Sequence, residues 1–204
     1  NSWGIDFKEV SEGMGLDSRI SPLFLRAGAG FGGSCFPKDV KALAAASKSS
    51  KVESKMLDAS LEVNETQPLI VVQMARERLG TLKGKKITVL GLAFKPDTDD
   101  IRESRSEVVV NKLVEEGAVV TGHDPEAMTN FREICNIEMA NDAKDAISGA
   151  DCMILMTEWQ EYIDLDYNLI KQKMSGNVII DGRRAFDYRR IEEVGFDYKA
   201  IGLG

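Results

Sequence analysis

The sequence predicts an α/β fold, in which a helical central segment (residues 1–84) precedes a doubly wound, Rossmann-like domain with a parallel sheet (residues 85–204). Two observations lead to this prediction. Up to about residue 80, the apolar residues recur at helical spacing. From residue 86 onward, short and nearly continuous apolar runs alternate with helical patterns, as they do in βαβ units whose strands are buried on both faces.

Three helices are predicted in the first segment. One lies within residues 1–20 and ends near two glycines, and Pro22 favours a boundary soon after it. The second covers residues 39–46, which are rich in Ala, Leu and Lys. The third covers residues 52–79, and Pro68 must kink or restart it because proline removes a backbone hydrogen bond. A helix of this length often joins domains, and we expect it to form a homodimer interface.

Six apolar runs and the patterns between them predict the α/β domain. The runs cover residues 87–94, 118–121, a short stretch near 137, 152–156, 178–180 and 196–201. Ser104 and Glu107 form the capping-box pattern that opens a helix. Shorter helices are expected over residues 126–135 and 143–147. This alternation implies right-handed crossovers and a doubly wound sheet.

Composition limits the classes of ligand and of compartment. The chain of 204 residues carries a formal net charge of −7, which argues against a nucleic-acid-binding face. No apolar run reaches the roughly 20 residues that a membrane-spanning helix needs, so we expect no membrane partner. Cys35, Cys135 and Cys152 have no paired spacing, so we expect neither a disulfide framework nor a metal site. Free cysteines favour a reducing compartment, most simply the cytoplasm.

The most informative stretch reads Gly-Ala-Gly-Phe-Gly-Gly-Ser-Cys-Phe-Pro-Lys-Asp and covers residues 28–39. Its glycines let a ligand approach the backbone closely. A cation beside a thiol favours the reactive thiolate, and a carboxylate can act as a general base. We therefore interpret Cys35 as a nucleophile, Lys38 as its cation and Asp39 as the base. The alternative is a glycine-rich turn that holds a packing cysteine.

Candidate ligand-binding residues follow three of the predicted strands, and ligands of doubly wound sheets bind beyond the carboxyl ends of the strands. Phe94 and Lys95 follow the first strand, Thr157-Glu158-Trp159 follows a second, and Arg183 follows a third. Phe94 can stack, Lys95 can neutralise a phosphate, and Arg183 offers a planar fork that matches phosphate oxygens. Alternatively, these are ordinary solvated loop residues.

The loop after the first strand, residues 91–95, lacks the Gly-x-Gly-x-x-Gly turn that holds a dinucleotide pyrophosphate. This domain is therefore not expected to bind NAD, and a nucleotide-sugar site fits it better. His123, the only histidine, adjoins Asp124 at a strand end, where we expect it to support a turn rather than to act as a base. Cys135 and Cys152 have no activating neighbours and are interpreted as packing residues.

The stretch Gly-Phe-Gly-Gly-Ser-Cys-Phe-Pro-Lys-Asp also resembles the nucleophile loop of the UDP-glucose/GDP-mannose 6-dehydrogenase family. Members of that family oxidise a sugar's primary alcohol to a carboxylate in two NAD-dependent steps. The resemblance implies that Cys35 captures the intermediate aldehyde as a thiohemiacetal, and that water assisted by Asp39 hydrolyses the thioester formed next. It also implies that Lys38 lies near the cofactor or the thiolate, and that Phe31 and Gly32 face the substrate.

A second stretch, Gly-Leu-Ala-Phe-Lys-Pro-Asp-Thr-Asp-Asp-Ile-Arg-Glu-Ser, resembles the start of the family's C-terminal UDP-binding domain. The resemblance implies that Phe94 and Lys95 face the substrate and that Arg102 reaches the NAD cofactor. Asp-Gly-Arg is also a family motif, so Arg183 is expected to contact the substrate. Arg105 stands where many relatives have proline, and we expect this difference to have little consequence.

The resemblance covers only the middle and C-terminal parts of a family member. We expect the N-terminal NAD-binding domain to be missing from this chain, and the chain alone to bind nucleotide sugar weakly or not at all and to be inactive. The family's lysine and asparagine that stabilise the alkoxide have no secure match, because Asn1 lies too close to Phe7.

The resemblance favours UDP-glucose as the substrate, with UDP-glucuronate as the product. Arg19-Ile20 and residues 24–28 are more similar to the UDP-glucose members than to the GDP-mannose members. GDP-mannose 6-dehydrogenase is the alternative within the family. A non-catalytic nucleotide-sugar-binding module or a dimer scaffold is the alternative from another class of protein.

Overall fold

The structure, a computed structural model, describes residues 3–21 and 24–204. The boundary expected at Pro22 and the comparison made at Asn1 lie outside the described residues. Within the described part of the first segment, the α-helices are α1 (Phe7–Gly15), α2 (Phe36–Ser49) and α3 (Lys55–Leu79). None of the described helices combines the length and the hydropathy of a membrane-spanning segment.

The rest of the chain forms a parallel sheet with short helices between its strands, which confirms the predicted fold class. The strands are β1 (Lys86–Leu90), β2 (Val119–His123), β3 (Glu138–Met139), β4 (Cys152–Leu155), β5 (Val178–Asp181) and β6 (Asp197–Ala200), in the order β3-β2-β1-β4-β5-β6. The helices are α4 (Arg105–Glu115), α5 (Met128–Phe131), α6 (Ala143–Ala146), α7 (Gln160–Ile163), α8 (Tyr167–Lys173) and α9 (Tyr188–Glu193).

The strand order reverses between β1 and β4, which pair with each other at the centre of the sheet. Leu90 at the end of β1 is in register with both His123 of β2 and Leu155 of β4. Leu155 is in turn level with Asp181 of β5. The loops that follow these four strands therefore emerge side by side at one edge, where doubly wound sheets bind their ligands.

Each face of the sheet has its own apolar core. On one face, α3, α4 and α5 pack through residues such as Val71, Val109 and Phe131. On the other, α6 to α9 pack through residues such as Tyr162 and Ile170. The strands between them are buried on both sides, which explains their nearly continuous apolar sequence.

Helix α3 connects the first segment to the sheet. Its buried residues, which include Val71 and Ala75, all lie from Asn64 onward, so its C-terminal half covers the sheet face beside β5 and α4. Pro68 lies inside this helix, which has 25 residues in all and is not interrupted at the proline. The restart that we considered at Pro68 does not occur.

Several predicted helices have different bounds in the structure. Helix α2 begins at Phe36 rather than at residue 39, because Pro37 fits the first turn of a helix, where no backbone donor is needed. Ser104 caps α4 as predicted, but its own amide donates to the carbonyl oxygen of Ile101, so Glu107 does not complete a capping box. Helix α5 is much shorter than the predicted range, and α7 to α9 were not predicted.

The loops at the carboxyl edge are organised by the buried carboxylate of Asp124, which follows β2. It accepts five hydrogen bonds: three on Oδ2 from the Leu92 amide (2.7 Å), the Ala93 amide (3.0 Å) and the Trp159 indole (3.1 Å), and two on Oδ1 from the amides of Glu126 (3.0 Å) and Ala127 (2.8 Å). One side chain thus fixes the loops that follow β1, β2 and β4.

Asp181, at the end of β5, has a similar role. It is buried and accepts hydrogen bonds from the backbone amides of Arg183 (2.8 Å), Ala185 (2.8 Å) and Phe186 (2.9 Å), and from the Tyr198 hydroxyl (2.8 Å). This network sets the path of the chain through Arg183 and Arg184. Arg184 then donates to Asp6, the N-cap of α1, over 2.6 Å and ties that helix to the sheet.

We predict that Asp124→Asn lowers the free energy of unfolding by about 2–4 kcal/mol. An amide in this position turns an NH₂ group toward backbone N–H donors and leaves some of them unpaired. Urea denaturation measures the loss. Glu133→Gln, which removes an equal charge from an exposed side chain, should have almost no effect. Equal stability of the Asp124 variant and the wild type would contradict the role that we assign to this carboxylate.

Candidate active site

The glycine-rich loop that leads to Cys35 is anchored to α3 by Asn64. The side-chain oxygen of this buried residue accepts a hydrogen bond from the Phe31 amide (2.7 Å), and its nitrogen donates to the Phe31 carbonyl oxygen (3.1 Å). The Gln67 side chain donates to the carbonyl oxygen of Gly28 (3.3 Å). The loop backbone is therefore fixed on the same helix that covers the sheet.

On its other side, the loop packs against the chain between β1 and α4. The Gly33 amide donates to the carbonyl oxygen of Arg102 over 2.9 Å. A Cβ on Gly32 would overlap with the carbonyl oxygen of Glu103, and a Cβ on Gly33 would lie 2.7 Å from the Phe94 ring. Glycine is needed at position 32 because the backbone of Glu103 lies against it, and at position 33 because the Phe94 ring lies against it and φ is +87°.

Cys35 is the N-cap residue of α2, and it is exposed to solvent. Lys38 and Asp39 lie in the first turn of α2, and their charged groups are 3.5 Å apart with both side chains mostly exposed. The structure thus places the three predicted catalytic residues on one helical turn, open to a ligand.

The five predicted substrate-binding residues line a single cavity of about 590 Å³, which we call the Arg183 cavity. They are Phe31, Gly32, Phe94, Lys95 and Arg183. The Lys95 ammonium lies 5.4 Å from the centre of the Phe94 ring. Arg26 adds a further cation to the same wall. The cavity joins aromatic surface with three cations, a combination that suits a base and a diphosphate.

Arg183 is held in the wall of this cavity by Glu158, which comes just after β4. Arg183 donates through Nε to Glu158 Oε2 (2.7 Å) and through Nη2 to Oε1 (3.1 Å). On the other side, the Nη1 atom of Arg183 lies against Gly28, where a Cβ would come within 3.1 Å of it. The guanidinium is therefore located between a carboxylate and the glycine-rich loop.

The two residues predicted to reach the cofactor, Lys38 and Arg102, line a second, more open cavity of about 810 Å³, the Arg102 cavity. Arg102 donates to Asp100 through Nε (2.9 Å) and Nη2 (2.7 Å). The hydrogen bond to Asp100 raises the pKa of Arg102, and the nearby charge of Cys35 adds to this effect. Arg102 is thus a cation within electrostatic range of the thiol.

A group of ion pairs that sequence reasoning missed connects α2, α3 and α4. Glu103 accepts from Lys41 (2.7 Å) and from Arg105 (2.9 Å), and Arg105 also faces Glu65 at 3.7 Å. Arg105 is buried and donates to the carbonyl oxygen of Asn64 (3.4 Å). Arg105 therefore has a larger structural part than we expected, because it lies under the glycine-rich loop.

The remaining candidates lie away from both cavities. His123 is buried at the end of β2, with its Nδ1 atom 2.9 Å from the Tyr162 hydroxyl, and burial lowers its pKa. Cys135 and Cys152 are buried, and burial raises the pKa of Cys135 to about 11 and that of Cys152 further. These three residues pack the domain, and Cys35 is the exposed thiol.

The connection after β1 does not form a dinucleotide-binding turn. It runs for 14 residues, 91–104, before α4 begins, and it packs against the glycine-rich loop. Gly91 has a positive φ of +94° and allows the chain to pass against Thr157, whose hydroxyl donates to the Ala93 carbonyl oxygen (2.6 Å). In this loop the backbone amides of Leu92 and Ala93 donate hydrogen bonds to the Asp124 carboxylate.

Comparison with known proteins agrees with this geometry. Residues 1–66 match the profile of the UDP-glucose/GDP-mannose dehydrogenase family, central domain, and residues 88–188 match the UDP binding domain of the same family. The chain belongs to this family. The match to the UDP binding domain includes Phe94, Lys95, Glu158 and Arg183, which line the Arg183 cavity.

Similar sequences include UDP-glucose 6-dehydrogenase AglM of Haloferax volcanii, 44% identical over 200 residues, and UDP-glucose 6-dehydrogenase TuaD of Bacillus subtilis, 38% identical over 201 residues. Each alignment covers 98% of this chain but only 45% and 44% of the relative. The chain therefore spans about half the length of these family members.

Similar solved structures include a UDP-glucose dehydrogenase from Pyrobaculum islandicum, with a TM-score of 0.89 and 39% identity over 100% of this chain and 45% of that one. An NDP-N-acetyl-D-galactosaminuronic acid dehydrogenase from Methanosarcina mazei has a TM-score of 0.86 and 28% identity, over 99% of this chain and 45% of that one. The fold is thus shared by family members named for different sugars.

We predict that Gly32→Ala destabilises the chain by about 1–3 kcal/mol, because the new methyl group forces the loop away from the Glu103 carbonyl oxygen. Urea denaturation provides the measurement. Gly13→Ala in α1 is the matched control, since a Cβ there meets nothing within 4 Å, and this variant should be as stable as the wild type or slightly more so. Equal stability of both variants would rule out the close packing described here.

Proposed function

We propose that this chain is the part of an NAD-dependent nucleotide-sugar 6-dehydrogenase that binds the sugar nucleotide and supplies the covalent nucleophile. The overall reaction is the four-electron oxidation of UDP-glucose to UDP-glucuronate. The observation that carries the proposal is the Arg183 cavity, because it collects aromatic and cationic groups beside the loop that presents Cys35. The names of the relatives support UDP-glucose as the substrate.

The Arg183 cavity suits a nucleoside diphosphate chemically. Arg183 offers a planar donor group for phosphate oxygens, and Lys95 and Arg26 add positive charge on the same wall. Phe94 provides an aromatic face. With the diphosphate held by these cations, the sugar extends along Phe31 and Gly32 toward Cys35.

Cys35 supplies covalent capture. The first oxidation removes a hydride and a proton from the C6 alcohol and leaves an aldehyde. The thiolate of Cys35 adds to the aldehyde carbon and forms a thiohemiacetal, so the aldehyde does not escape. Loss of a second hydride and of the hydroxyl proton gives a thioester. Water, with Asp39 as base, then attacks the thioester carbon, and the thiolate of Cys35 leaves as the carboxylate forms.

The residues of the Arg102 cavity would contact one part of the cofactor. NAD, when bound, accepts the two hydrides in succession. Lys38 and Arg102 line this cavity and would hold the phosphates of a dinucleotide by their positive charge. The chain has no Gly-x-Gly-x-x-Gly turn after β1, so the main dinucleotide site belongs to another part of the protein. We accordingly expect this chain alone to be inactive.

The exposed thiol distinguishes this proposal from a non-catalytic nucleotide-sugar module. Such a module needs the Arg183 cavity but has no use for a cysteine at the N-terminus of an exposed helical turn. Free cysteines in the described chain also agree with a reducing compartment, and we propose the cytoplasm.

We predict that the chain alone binds UDP-glucose weakly, and that Arg183→Ala weakens this binding by a further factor of about 10 to 100, because charge-assisted hydrogen bonds to phosphate are lost. Isothermal titration calorimetry measures the affinity, with GDP-mannose as the competing ligand. Arg132→Ala removes an equal charge from an exposed residue on the β3 side of the sheet and should leave binding unchanged. If GDP-mannose binds more tightly than UDP-glucose, GDP-mannose replaces UDP-glucose as the proposed substrate. If Arg183→Ala and Arg132→Ala bind UDP-glucose with equal affinity, the assignment of the cavity is refuted.

We also propose that the chain forms a homodimer through α3. The N-terminal half of this helix leaves apolar side chains exposed, among them Met56 (83%) and Val63 (58%), whereas its C-terminal half is covered by the sheet. A second copy of the same helix offers a matching apolar surface.

Light scattering is expected to give the mass of a dimer for the wild type and of a monomer for Val63→Glu, which places a charge in the proposed interface. Gln73→Glu adds the same charge further along α3 and should remain a dimer. A wild-type chain that is monomeric at all concentrations would disprove this interface.

A further inference from the structure

The ion pair between Glu158 and Arg183 combines burial of both side chains with a bidentate geometry. Both side chains are mostly buried, with exposed fractions of 22% and 21%, and two parallel hydrogen bonds join them. By contrast, Lys38 and Asp39 meet at the surface. A bidentate pair fixes the plane of a guanidinium, whereas a single contact leaves it free to rotate.

Glu158 is ionised under ordinary conditions. Burial acts to raise its pKa, but the hydrogen bond and charge of Arg183, together with the charge of Arg26, outweigh this effect and leave the pKa below its usual range. The pair therefore consists of a carboxylate and a guanidinium, and a second cation, Arg26, lines the same cavity.

The pairing with Glu158 uses one edge of the Arg183 guanidinium and leaves other N–H groups without a hydrogen bond to Glu158. Arg183 has five N–H groups, and Glu158 accepts from one on Nε and one on Nη2. The terminal edge, formed by Nη1 and the second N–H of Nη2, is not used by Glu158, and its Nη1 atom lies beside Gly28 in the cavity. This edge has the spacing that matches two oxygens of a phosphate.

We propose that Glu158 is a positioning residue for nucleotide-sugar binding, because it holds Arg183 so that the free edge of the guanidinium faces the diphosphate. This inference rests on the proposed function of the Arg183 cavity. Glu158 itself does not contact the ligand, and its negative charge, which would repel a diphosphate, is neutralised by Arg183 and Arg26. Because Arg183 is already ordered before the ligand binds, less side-chain entropy is lost on binding.

A mutant cycle tests the proposal. We compare UDP binding to the wild type, Glu158→Gln, Arg183→Ala and the double variant by calorimetry, and repeat each titration with uridine. Glu158→Gln should weaken UDP binding about tenfold, the cost of ordering one long side chain, and leave uridine binding unchanged. In the Arg183→Ala background, the same change should have no effect on UDP. Glu133→Gln serves as the control for the loss of charge.

Two results of the cycle would overturn the proposal. If Glu158→Gln binds UDP as tightly as the wild type or more tightly, the carboxylate does not position Arg183. If the variant weakens UDP binding equally in the presence and absence of Arg183, Glu158 acts through the fold and not through the guanidinium.

A ligand-free measurement separates this inference from the proposed function. In the wild type, the Nε–H signal of Arg183 should be protected from exchange with solvent, since Glu158 accepts it over 2.7 Å, and the loss of the signal in Arg183→Ala identifies it. Glu158→Gln should exchange faster. Equal exchange rates overturn the positioning role whether or not UDP binds. Protection in a wild type that binds no UDP supports the ordering of Arg183 but refutes the function of the cavity.

Discussion

The buried carboxylate of Asp124 is the interaction on which the rest of the site depends. It accepts hydrogen bonds from the loops that follow β1, β2 and β4, where the strand order reverses. Asp181 does the same for the loop after β5. These loops have no regular secondary structure of their own, so their shape comes from backbone amides that converge on two carboxylates. Phe94 and Arg183 are thereby held in one wall of one cavity.

Helix α3 connects this edge of the sheet to the nucleophile. Its C-terminal half is part of the apolar core, and Asn64 holds the glycine-rich loop by two hydrogen bonds. The same loop packs on Glu103 and Phe94 through glycines that leave no room for a side chain. Cys35 therefore belongs to the same rigid framework as the cavity, although the two lie in segments that are far apart in sequence. This arrangement is what covalent catalysis requires, since the thiol must meet a substrate that is bound elsewhere.

Features that depend on local pattern could be predicted from the sequence. The apolar runs identified all six strands, and because ligands bind beyond the carboxyl ends of such strands, Phe94 and Arg183 were expected at a common site. Contacts between distant residues were out of reach. Asn64 and Phe31 are 33 residues apart, and nothing in either segment indicates the other. The burial of Arg105 depends likewise on the tertiary packing of α3 against α4. Helices α7 to α9 were missed because one or two turns give no sustained period.

The most direct test of this account is a crystal structure of the chain with UDP-glucose. We expect the diphosphate on the free edge of Arg183, and the glucose along Phe31 and Gly32 with its C6 hydroxyl pointing toward Cys35. This result would join the two loops and the nucleophile in one reaction site. A nucleotide bound outside the Arg183 cavity, or a sugar that points away from Cys35, would contradict the central claim.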